Sequence, residues 1–168
     1  RGTVSVFDGI EPEVVIAEDE AAERAAAVAF IRQALDDNIA PREIAIFVRS
    51  PDQLPRARSI AEAAGLPFRT AMASRQDEDK ALVGIMHLAK GLEFRAVAVV
   101  ACDENVLPLA ERVADVADAF ELDEVIATER QLLYVAATRA RDRLFVSGVT
   151  PGADLLENLS SRIRRSET

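Results

Sequence analysis

The polar residues of this sequence that could do chemistry are concentrated in a short connection between two apolar segments. The connection runs from His87, the only histidine of the chain, to Glu93, and it places Lys90 and Glu93 on either side of Gly91. Glycine can adopt backbone conformations that are closed to other residues, or allow a ligand to come close. Because open α/β sheets bind ligands at the tips of their strands, this pattern predicts a binding site at the connection. The pattern alone does not identify the ligand.

Two arginines are further candidates, because each lies at the end of an apolar element. Arg139 stands near the end of a predicted helix that is apolar on one face, and Arg49 ends a short apolar strand. On composition alone a structural role is favoured for Arg139, since a cation stabilises a helix C-terminus modestly. For Arg49 a surface position at a strand end is about as good an explanation as a functional one.

The elements that must position these residues follow from the alternation of apolar strands and helical patterns. This alternation predicts a three-layer α/β fold with a mostly parallel sheet covered by helices on both faces. Strands are predicted at residues 13–17, 44–49, 66–69, 81–86, 94–101 and 143–147, and helices at 19–37, 51–64, about 128–140 and from 150 onward. Residues 72–80 are predicted to form a loop.

The whole chain, residues 1–168, is interpreted as a single domain. Residues 1–12 are expected to be a lead-in segment. Residues 160–168, which contain Arg162, Arg164 and Arg165, are expected to be a flexible basic tail.

Local signals set the expected helix ends. Ser50, which is followed by a proline, is predicted to be the N-cap of the second helix, and Gly65 is predicted to end that helix. Thr128 and Gln131 fit a capping box, so the main late helix is predicted to begin near Thr128. The acidic, alanine-rich residues 110–123 before it are predicted to be loosely ordered.

Composition limits the classes of function. The formal charge is −9, from 29 acidic and 20 basic residues, and this argues against tight autonomous DNA binding, although a local basic patch remains open. Cys102 is the only cysteine, which excludes a disulfide framework and a cysteine-based zinc cluster. No apolar run has the length of a membrane span and no signal peptide is visible, so a cytoplasmic location without a membrane partner is the default expectation. The sequence begins at Arg1 rather than Met, which suggests a piece of a longer protein.

Three segments resemble, in the right order, conserved motifs of UvrD/Rep-type superfamily 1 DNA helicases. Residues 44–50, IAIFVRS, are similar to the fourth motif, and HLAKGLEF from His87 onward is similar to the fifth. Residues 129–148, ERQLLYVAATRARDRLFVSG, are similar to the sixth motif and carry the most specific resemblance. The resemblance spans most of residues 13–148 and implies the second RecA-like motor domain of an ATP-dependent DNA helicase.

The resemblance also implies what this domain lacks and what it contacts. The sequence has no Gly-x-x-x-x-Gly-Lys-Ser/Thr pattern, so it is expected to resemble P-loop NTPases without having the P-loop. ATP and Mg would therefore be held mainly by an N-terminal RecA-like domain of the same protein, which is the implied partner together with single-stranded DNA.

Residue roles follow from the resemblance position by position. Arg139 matches the arginine that reaches the γ-phosphate across the domain cleft, and Arg49 matches a second γ-phosphate ligand. Gly91 and Glu93 match the nucleotide-binding part of the fifth motif, with Glu93 at the ribose. His87 and Lys90 match positions near the DNA backbone.

The sequence departs from the family pattern at three places. Val48 stands where an aromatic residue often stacks on adenine, and Ile85 stands where a threonine is usual. Only about 30 residues separate Arg49 from Ala81, so the large subdomain that many members insert there is absent. The departures leave a second interpretation open, a non-catalytic helicase-like α/β interaction module. A Walker lysine and an Asp-Glu pair upstream in the same protein would decide for the motor domain.

Overall fold

A six-stranded parallel sheet forms the centre of the protein in a computed structural model, which describes residues 12–70, 75–157 and 159. The strand order is β1-β6-β5-β2-β4-β3, and every pairing between neighbouring strands is parallel. The strands are β1 (Glu13–Ala17), β2 (Ile44–Val48), β3 (Phe68–Arg69), β4 (Ala81–Ile85), β5 (Phe94–Val99) and β6 (Ala140–Val149). The α-helices whose bounds the described residues give are α1 (Glu20–Asp36), α2 (Leu54–Ala64), α3 (Ala110–Ala114) and α4 (Ala119–Ala137).

Helices cover both faces of the sheet, and each face has its own apolar core. Helices α1 and α2 pack on one face, where Ile31 and Ile60 meet Ile46 of β2. Helix α4 packs on the other, where Leu133 meets Phe47 of the same strand. All five residues of β2 are fully buried, as expected for a central parallel strand that is covered on both sides. The predicted three-layer α/β fold is thereby confirmed.

The first two helices begin and end at short polar or glycine signals. The Asp19 side chain caps α1 by accepting a hydrogen bond from the backbone N–H of Ala22 at 2.8 Å. Gly65 ends α2 in the left-handed conformation, with φ of 69°, as predicted. The Ser50 prediction was wrong in detail: a 3₁₀ turn, Pro51–Gln53, precedes α2, and the Ser50 side chain makes no capping hydrogen bond.

The segment before the late helix is ordered rather than loose, which corrects the sequence interpretation. Residues 110–114 form α3, and α4 begins at Ala119 instead of near Thr128. The cap is Asp118, whose side chain accepts from the N–H of Glu121 at 2.9 Å, while Glu121 accepts from the N–H of Ala117 at 2.8 Å. Thr128 lies inside the helix and donates its hydroxyl to the Glu124 carbonyl at 2.9 Å. The cap formed by Asp118 and Glu121 therefore sets the start of α4, and the capping box predicted at Thr128 does not.

The last strand also differs from the prediction. β6 begins at Ala140, the residue at which the sequence predicts the end of the preceding helix, and it continues to Val149. In the range predicted for a final α-helix, Asp154–Leu156 form a short 3₁₀ turn and Leu159 is helical, while the rest of that range lies outside the described residues. The predicted lead-in up to residue 11, part of the predicted loop at residues 71–74 and the basic tail at 160–168 lie outside the described residues.

Gly148 of β6 packs directly against the backbone of Cys102, which belongs to the segment after β5. An added Cβ at this position would overlap the carbonyl oxygen of Cys102 and lie 2.7 Å from its carbonyl carbon. The Cys102 carbonyl cannot move away without shifting the N–H of the same residue, which donates to the Ser147 carbonyl at 2.9 Å.

We therefore expect Gly148→Ala to lower the free energy of unfolding by about 2–3 kcal/mol, because the overlap is with backbone. Gly84→Ala is the matched control: its Cβ would meet Leu88 Cδ1 at 2.8 Å, the tip of a flexible side chain that is 40% exposed, so less than about 1 kcal/mol should be lost. Urea unfolding followed by circular dichroism measures both. Equal losses for the two variants would show that the Cys102 contact does not constrain the fold.

Candidate functional site

The predicted polar connection lies between β4 and β5 and crosses the sheet. Both strands pair with β2 in parallel, so the connection must return from the carboxyl end of β4 to the amino end of β5. Met86 and Ala89 of its 3₁₀ turn are buried, and they anchor the connection in the core beneath α4. Gly91 has φ of 79°, which confirms the predicted special backbone conformation. We call residues 86–93 the crossing loop.

The crossing loop presents its polar side chains to solvent. His87, Lys90 and Glu93 are all exposed, and His87 and Lys90 make no hydrogen bond or ion pair with the residues that the structure describes. Leu88 and Leu92 are each 40% exposed beside them. The side chains of His87 and Lys90 are thus free of internal contacts within the described part of the chain.

Arg139 lies next to the end of the crossing loop, at the amino edge of the sheet. Its carbonyl accepts a hydrogen bond from the N–H of Phe94 at 2.9 Å, which aligns the start of β5 with the start of β6. Oε1 of Glu93 lies 4.0 Å from Nη1 of Arg141 in an exposed ion pair. The structure therefore brings Gly91, Glu93 and Arg139 to the same edge.

The Arg139 side chain is half-buried and folds back on the end of its own helix. Nε donates to the Val135 carbonyl at 3.0 Å, and Nη2 donates to Thr138 Oγ1 at 3.2 Å. These bonds satisfy hydrogen-bond acceptors at the C-terminus of α4. This is the structural role expected of a cation at a helix end. Both acceptors are neutral, so an anion could replace them at little cost.

Arg49 has a different environment, at the carboxyl edge of β2. It is only 6% exposed, so the alternative of a surface arginine is wrong. Its Nε and Nη2 donate to the two carboxylate oxygens of Glu129 at 2.8 and 2.9 Å, in a bidentate ion pair. A strand of five residues spans about 16 Å, so Arg49 and Arg139 lie at opposite edges and the structure does not bring them together.

Glu129 is the buried acceptor at the centre of this pair, and the sequence interpretation missed its role. It is fully buried, and it also accepts from the N–H of Leu109 at 2.7 Å and from Nη1 of Arg112 at 3.0 Å. Burial alone raises the pKa of the Glu129 carboxyl, but the bonds from Arg49, Leu109 and Arg112 outweigh it and hold the pKa below its usual range. The available signal was a lone acidic residue one turn before Leu133, on the apolar face of α4.

A second buried ionic cluster occupies the same edge on the other face of the sheet. Arg56 of α2 bonds to Glu23 at 2.6 Å and to Asp103 at 2.6 Å. Glu23, which is 2% exposed, also accepts from Ser147 Oγ at 2.8 Å and from the N–H of Ala101 at 2.9 Å. This cluster joins α1, α2 and the ends of β5 and β6, and no pattern in the sequence predicted it.

The two ionic clusters lie where a sheet of this type usually binds ligands. The neighbouring strands β2 and β5 are followed by connections that lead in opposite directions along the sheet. The connection after β2 forms α2 on one face and leads to β3, whereas the connection after β5 forms α4 on the other face and leads to β6. Ligands commonly bind outside the carboxyl ends of strands at such a point. Here Arg49–Glu129 and Arg56–Asp103 follow those strand ends, so internal ion pairs take this place.

Two positions that depart from the helicase pattern lie in or near the core. Val48 is fully buried among the side chains under α1 and α2, so no side chain there can stack on an external ring. Ile85 at the end of β4 is half-buried and packs against the same core. Within the described residues, no group of three or more His, Cys, Asp and Glu side chains is arranged to hold a metal ion. None of the helices described is both long and apolar enough to cross a membrane.

Comparison with known proteins gives consistent matches. The model of the UvrD-like helicase C-terminal domain matches residues 69–150. The ATP-dependent DNA helicase UvrD2 of Mycobacterium tuberculosis H37Rv is 32% identical over 127 residues, which are 76% of this chain and 16% of that protein. The ATP-dependent DNA helicase UvrD1 of Mycobacterium leprae is 44% identical over 62 residues, 37% of this chain and 7% of that protein. The chain thus spans about a sixth or less of the length of these relatives.

Solved structures share the fold. The C-terminal domain of a possible DNA helicase from Lactobacillus plantarum WCFS1 superposes with a TM-score of 0.65 at 22% identity, covering 93% of this chain and 84% of that one. The SWI2/SNF2 ATPase core of Sulfolobus solfataricus, solved with double-stranded DNA, gives a TM-score of 0.54 at 8% identity and covers 90% of this chain and 31% of that one. These likenesses confirm the RecA-like arrangement of the sheet and helices.

Glu129→Gln is expected to lower the free energy of unfolding at pH 7 by about 3 kcal/mol, because Arg49 would remain buried without a counter-charge. The pKa of Glu129 is depressed in the folded state, so its contribution is fully present above the ordinary value of about 4.3 and is lost as pH falls through the folded pKa. Wild type and Glu129→Gln should therefore converge in stability under acid. Urea unfolding at a series of pH values measures this.

Glu124→Gln is the control, since Glu124 is exposed on the same helix and should change stability by no more than about 0.5 kcal/mol at any pH. A difference between wild type and Glu129→Gln that stays constant from neutral to acid pH would contradict the ionic role.

Proposed function

Because this chain belongs to the UvrD-like helicase C-terminal domain family, we propose that it is the second motor domain of an ATP-dependent DNA helicase. In this proposal it acts with an N-terminal RecA-like domain of the same protein, on single-stranded DNA, in the cytoplasm. The observation that supports it best is the amino edge of the sheet, where the Arg139 carbonyl pairs with the N–H of Phe94, the residue that follows the exposed Glu93. The curated relatives are themselves named as ATP-dependent DNA helicases.

The residues at this edge fit a nucleotide that another domain presents. Guanidinium groups such as that of Arg139 donate to phosphate oxygens, and a carboxylate such as that of Glu93 accepts from ribose hydroxyls. An added Cβ at Gly91 would meet nothing within 4 Å, so the backbone there is open to close approach. Bound ATP would supply the phosphoryl group that is transferred to water.

Magnesium is assigned to the N-terminal domain in this proposal. Among the described residues no three or more His, Cys, Asp and Glu side chains are grouped to hold a metal ion, and the sequence has no phosphate-binding loop. The contribution of this domain is therefore restricted to cationic and hydrogen-bonding groups that complete a site built elsewhere.

Arg139 is proposed as the catalytic residue. It is always charged and planar, which suits the charge that spreads over the phosphoryl oxygens in the transition state. Its present acceptors, the Val135 carbonyl and Thr138 Oγ1, are neutral, so transfer to a phosphate oxygen replaces weak bonds with charge-assisted ones. The side chain already lies at the edge that would face the partner domain.

The crossing loop is proposed as the DNA contact. Arg49 is left out of the nucleotide site in this proposal, because it lies at the opposite edge of the sheet from Arg139, about 16 Å away. To reach a phosphate, Arg49 would also have to leave both oxygens of Glu129. His87 and Lys90 need no such exchange, because both are exposed and make no bond within the described residues. Lysine contacts of this kind position the DNA backbone without reading its sequence.

The alternative is a non-catalytic helicase-like interaction module, and one observation favours it. Val48 is buried in the core where family members often carry an aromatic residue that stacks on adenine. The two functions differ in what lies upstream: a Walker lysine and an Asp-Glu pair in the same protein support the motor domain, and their absence supports the module.

In the intact helicase, Arg139→Ala is expected to lower the DNA-stimulated turnover of ATP by about 10³-fold, with a smaller effect on nucleotide affinity. The fold should survive, because a cation at a helix end contributes only about 0.3–1 kcal/mol. Arg139→Lys should recover little activity, since a point charge does not reproduce the planar fork. Steady-state kinetics give kcat and KM for each variant.

Arg141→Ala is the matched control at the same edge. Arg141 is exposed, and its contacts are Asp142 at 3.3 Å and the 4.0 Å approach to Glu93, so turnover should stay within about twofold of wild type. If Arg139→Ala and Arg141→Ala both hydrolyse ATP normally in an active helicase, Arg139 is only a helix-end charge.

The isolated chain is expected to bind single-stranded DNA weakly and with strong salt sensitivity, because its charge of −9 repels the backbone. Lys90→Ala should flatten the plot of log K against log salt by about 0.7, the contribution of one phosphate contact. Lys80→Ala is the control, since Lys80 is paired with Asp77 at 3.0 Å and is the only other lysine. Fluorescence anisotropy with a labelled oligonucleotide measures the slope. Tight binding at physiological salt would contradict the prediction.

A further inference from the structure

Thr138 and Arg139 form a closed set of hydrogen bonds at the end of α4. The Arg139 N–H turns to the Ala136 carbonyl at 3.2 Å, which leaves the Val135 carbonyl, one of the last of the helix, to side chains. The Thr138 hydroxyl donates to this carbonyl at 3.1 Å, and Nε of Arg139 donates to it at 3.0 Å. Nη2 of Arg139 in turn donates to Thr138 Oγ1 at 3.2 Å, so the two side chains hold each other.

The Thr138 hydroxyl fixes the plane of the guanidinium. Its hydrogen is used by the Val135 carbonyl, so toward Arg139 its oxygen acts only as an acceptor. The single bond from Nε would still let the long arginine side chain turn, and the second bond, from Nη2, removes that freedom. The acceptor is itself held in place, because a β-branched side chain has few χ1 rotamers and the bond to Val135 selects one of them.

These bonds leave the outer part of the guanidinium free. Only one hydrogen of Nε and one of Nη2 are used, and Nη1 makes no hydrogen bond with the residues that the structure describes. When Nε exchanges the Val135 carbonyl for a phosphate oxygen, Nη2 can keep its bond to Thr138, because its second hydrogen and those of Nη1 still point outward. The hydroxyl therefore does not have to release Arg139 for a phosphate to bind.

We propose that Thr138 is a positioning residue for Arg139: its hydroxyl holds the guanidinium in the orientation from which it acts on the nucleotide, without touching the nucleotide itself. The inference rests on the proposed function, in which Arg139 is the catalytic residue, and it names a second residue on which that role depends. A donor that is already oriented needs no reorganisation when charge develops on the phosphoryl group. The gain is therefore in the chemical step rather than in nucleotide binding.

The first test uses the intact helicase. Thr138→Val should lower kcat of DNA-stimulated ATP hydrolysis roughly threefold to tenfold, the effect of one long side chain that must be immobilised again in each turnover. KM for ATP should stay within about twofold of wild type, because the interaction is made in the transition state. Thr138→Ser should restore kcat, since it keeps the hydroxyl. In the Arg139→Ala background Thr138→Val should have no further effect, because there is no guanidinium to position.

Thr128→Val is the matched control on the same helix. The Thr128 hydroxyl donates to the Glu124 carbonyl at 2.9 Å, which is the same kind of bond that Thr138 makes to the backbone of α4. The substitution therefore removes a hydroxyl bonded to the helix without changing the surroundings of Arg139, and kcat should not change. Urea unfolding of both valine variants checks that each remains folded.

A second measurement, on this chain without nucleotide, reports the positioning independently of activity. ¹⁵N relaxation at Nε of Arg139, a signal identified by its loss in Arg139→Ala, measures how firmly the guanidinium is held on the ps–ns timescale. The order parameter should fall in Thr138→Val. It should keep its wild-type value in Thr138→Ser and in Thr128→Val.

The outcomes separate this inference from the proposed function. The positioning role is overturned, while the motor function stands, if Thr138→Val leaves kcat or the order parameter of Arg139 unchanged. The same holds if Thr138→Val lowers kcat equally in the Arg139→Ala background, or if Thr138→Ser is as slow as the valine variant. If Arg139→Ala itself hydrolyses ATP normally in an active helicase, the proposed role of Arg139 is overturned, and the role of Thr138 with it.

Discussion

The parallel pairing of β4 and β5 with the same central strand is the constraint on which the rest of the structure depends. Because both strands run in the direction of β2, each connection must return from one edge of the sheet to the other. The crossing loop makes this return between β4 and β5, and α4 makes it between β5 and β6. Both returns end at the amino edge, and this is why Glu93 and Arg139 arrive there together.

The carboxyl edge of the sheet differs from the amino edge, because its main charged side chains are withdrawn from water in ion pairs. Two arginines, Arg49 and Arg56, are withdrawn from water with their carboxylate partners. Such pairs add little stability compared with apolar packing, but the loss of one partner is strongly destabilising. The pairs therefore fix the relative positions of the helices and strand ends. They also occupy the edge at which similar sheets commonly bind ligands.

The two edges divide the work that we propose for this domain. At the amino edge Arg139 and Glu93 have weak or exposed contacts and are ready to meet a ligand presented by another domain. At the carboxyl edge Arg49 and Arg56 are already held by internal carboxylates. The first arrangement suits contact with a partner, and the second suits a structural role. A net charge of −9 agrees with a domain whose cationic groups act locally rather than through a basic field.

The sequence by itself determined the fold class, the bounds of five of the six strands to within two residues, and the candidate residues of the amino edge. Apolar periodicity and the order of three motifs carry that information, because each is encoded by residues that are close in the chain. The start of α4 was missed, since two capping signals compete and only Asp118 with Glu121 is satisfied in the fold. The tertiary structure alone decided that Arg49 is buried on Glu129, 80 residues away, and that Glu23 binds Ser147 across 124 residues. Partners at such separations are selected by packing of the whole sheet, and no local pattern specifies them.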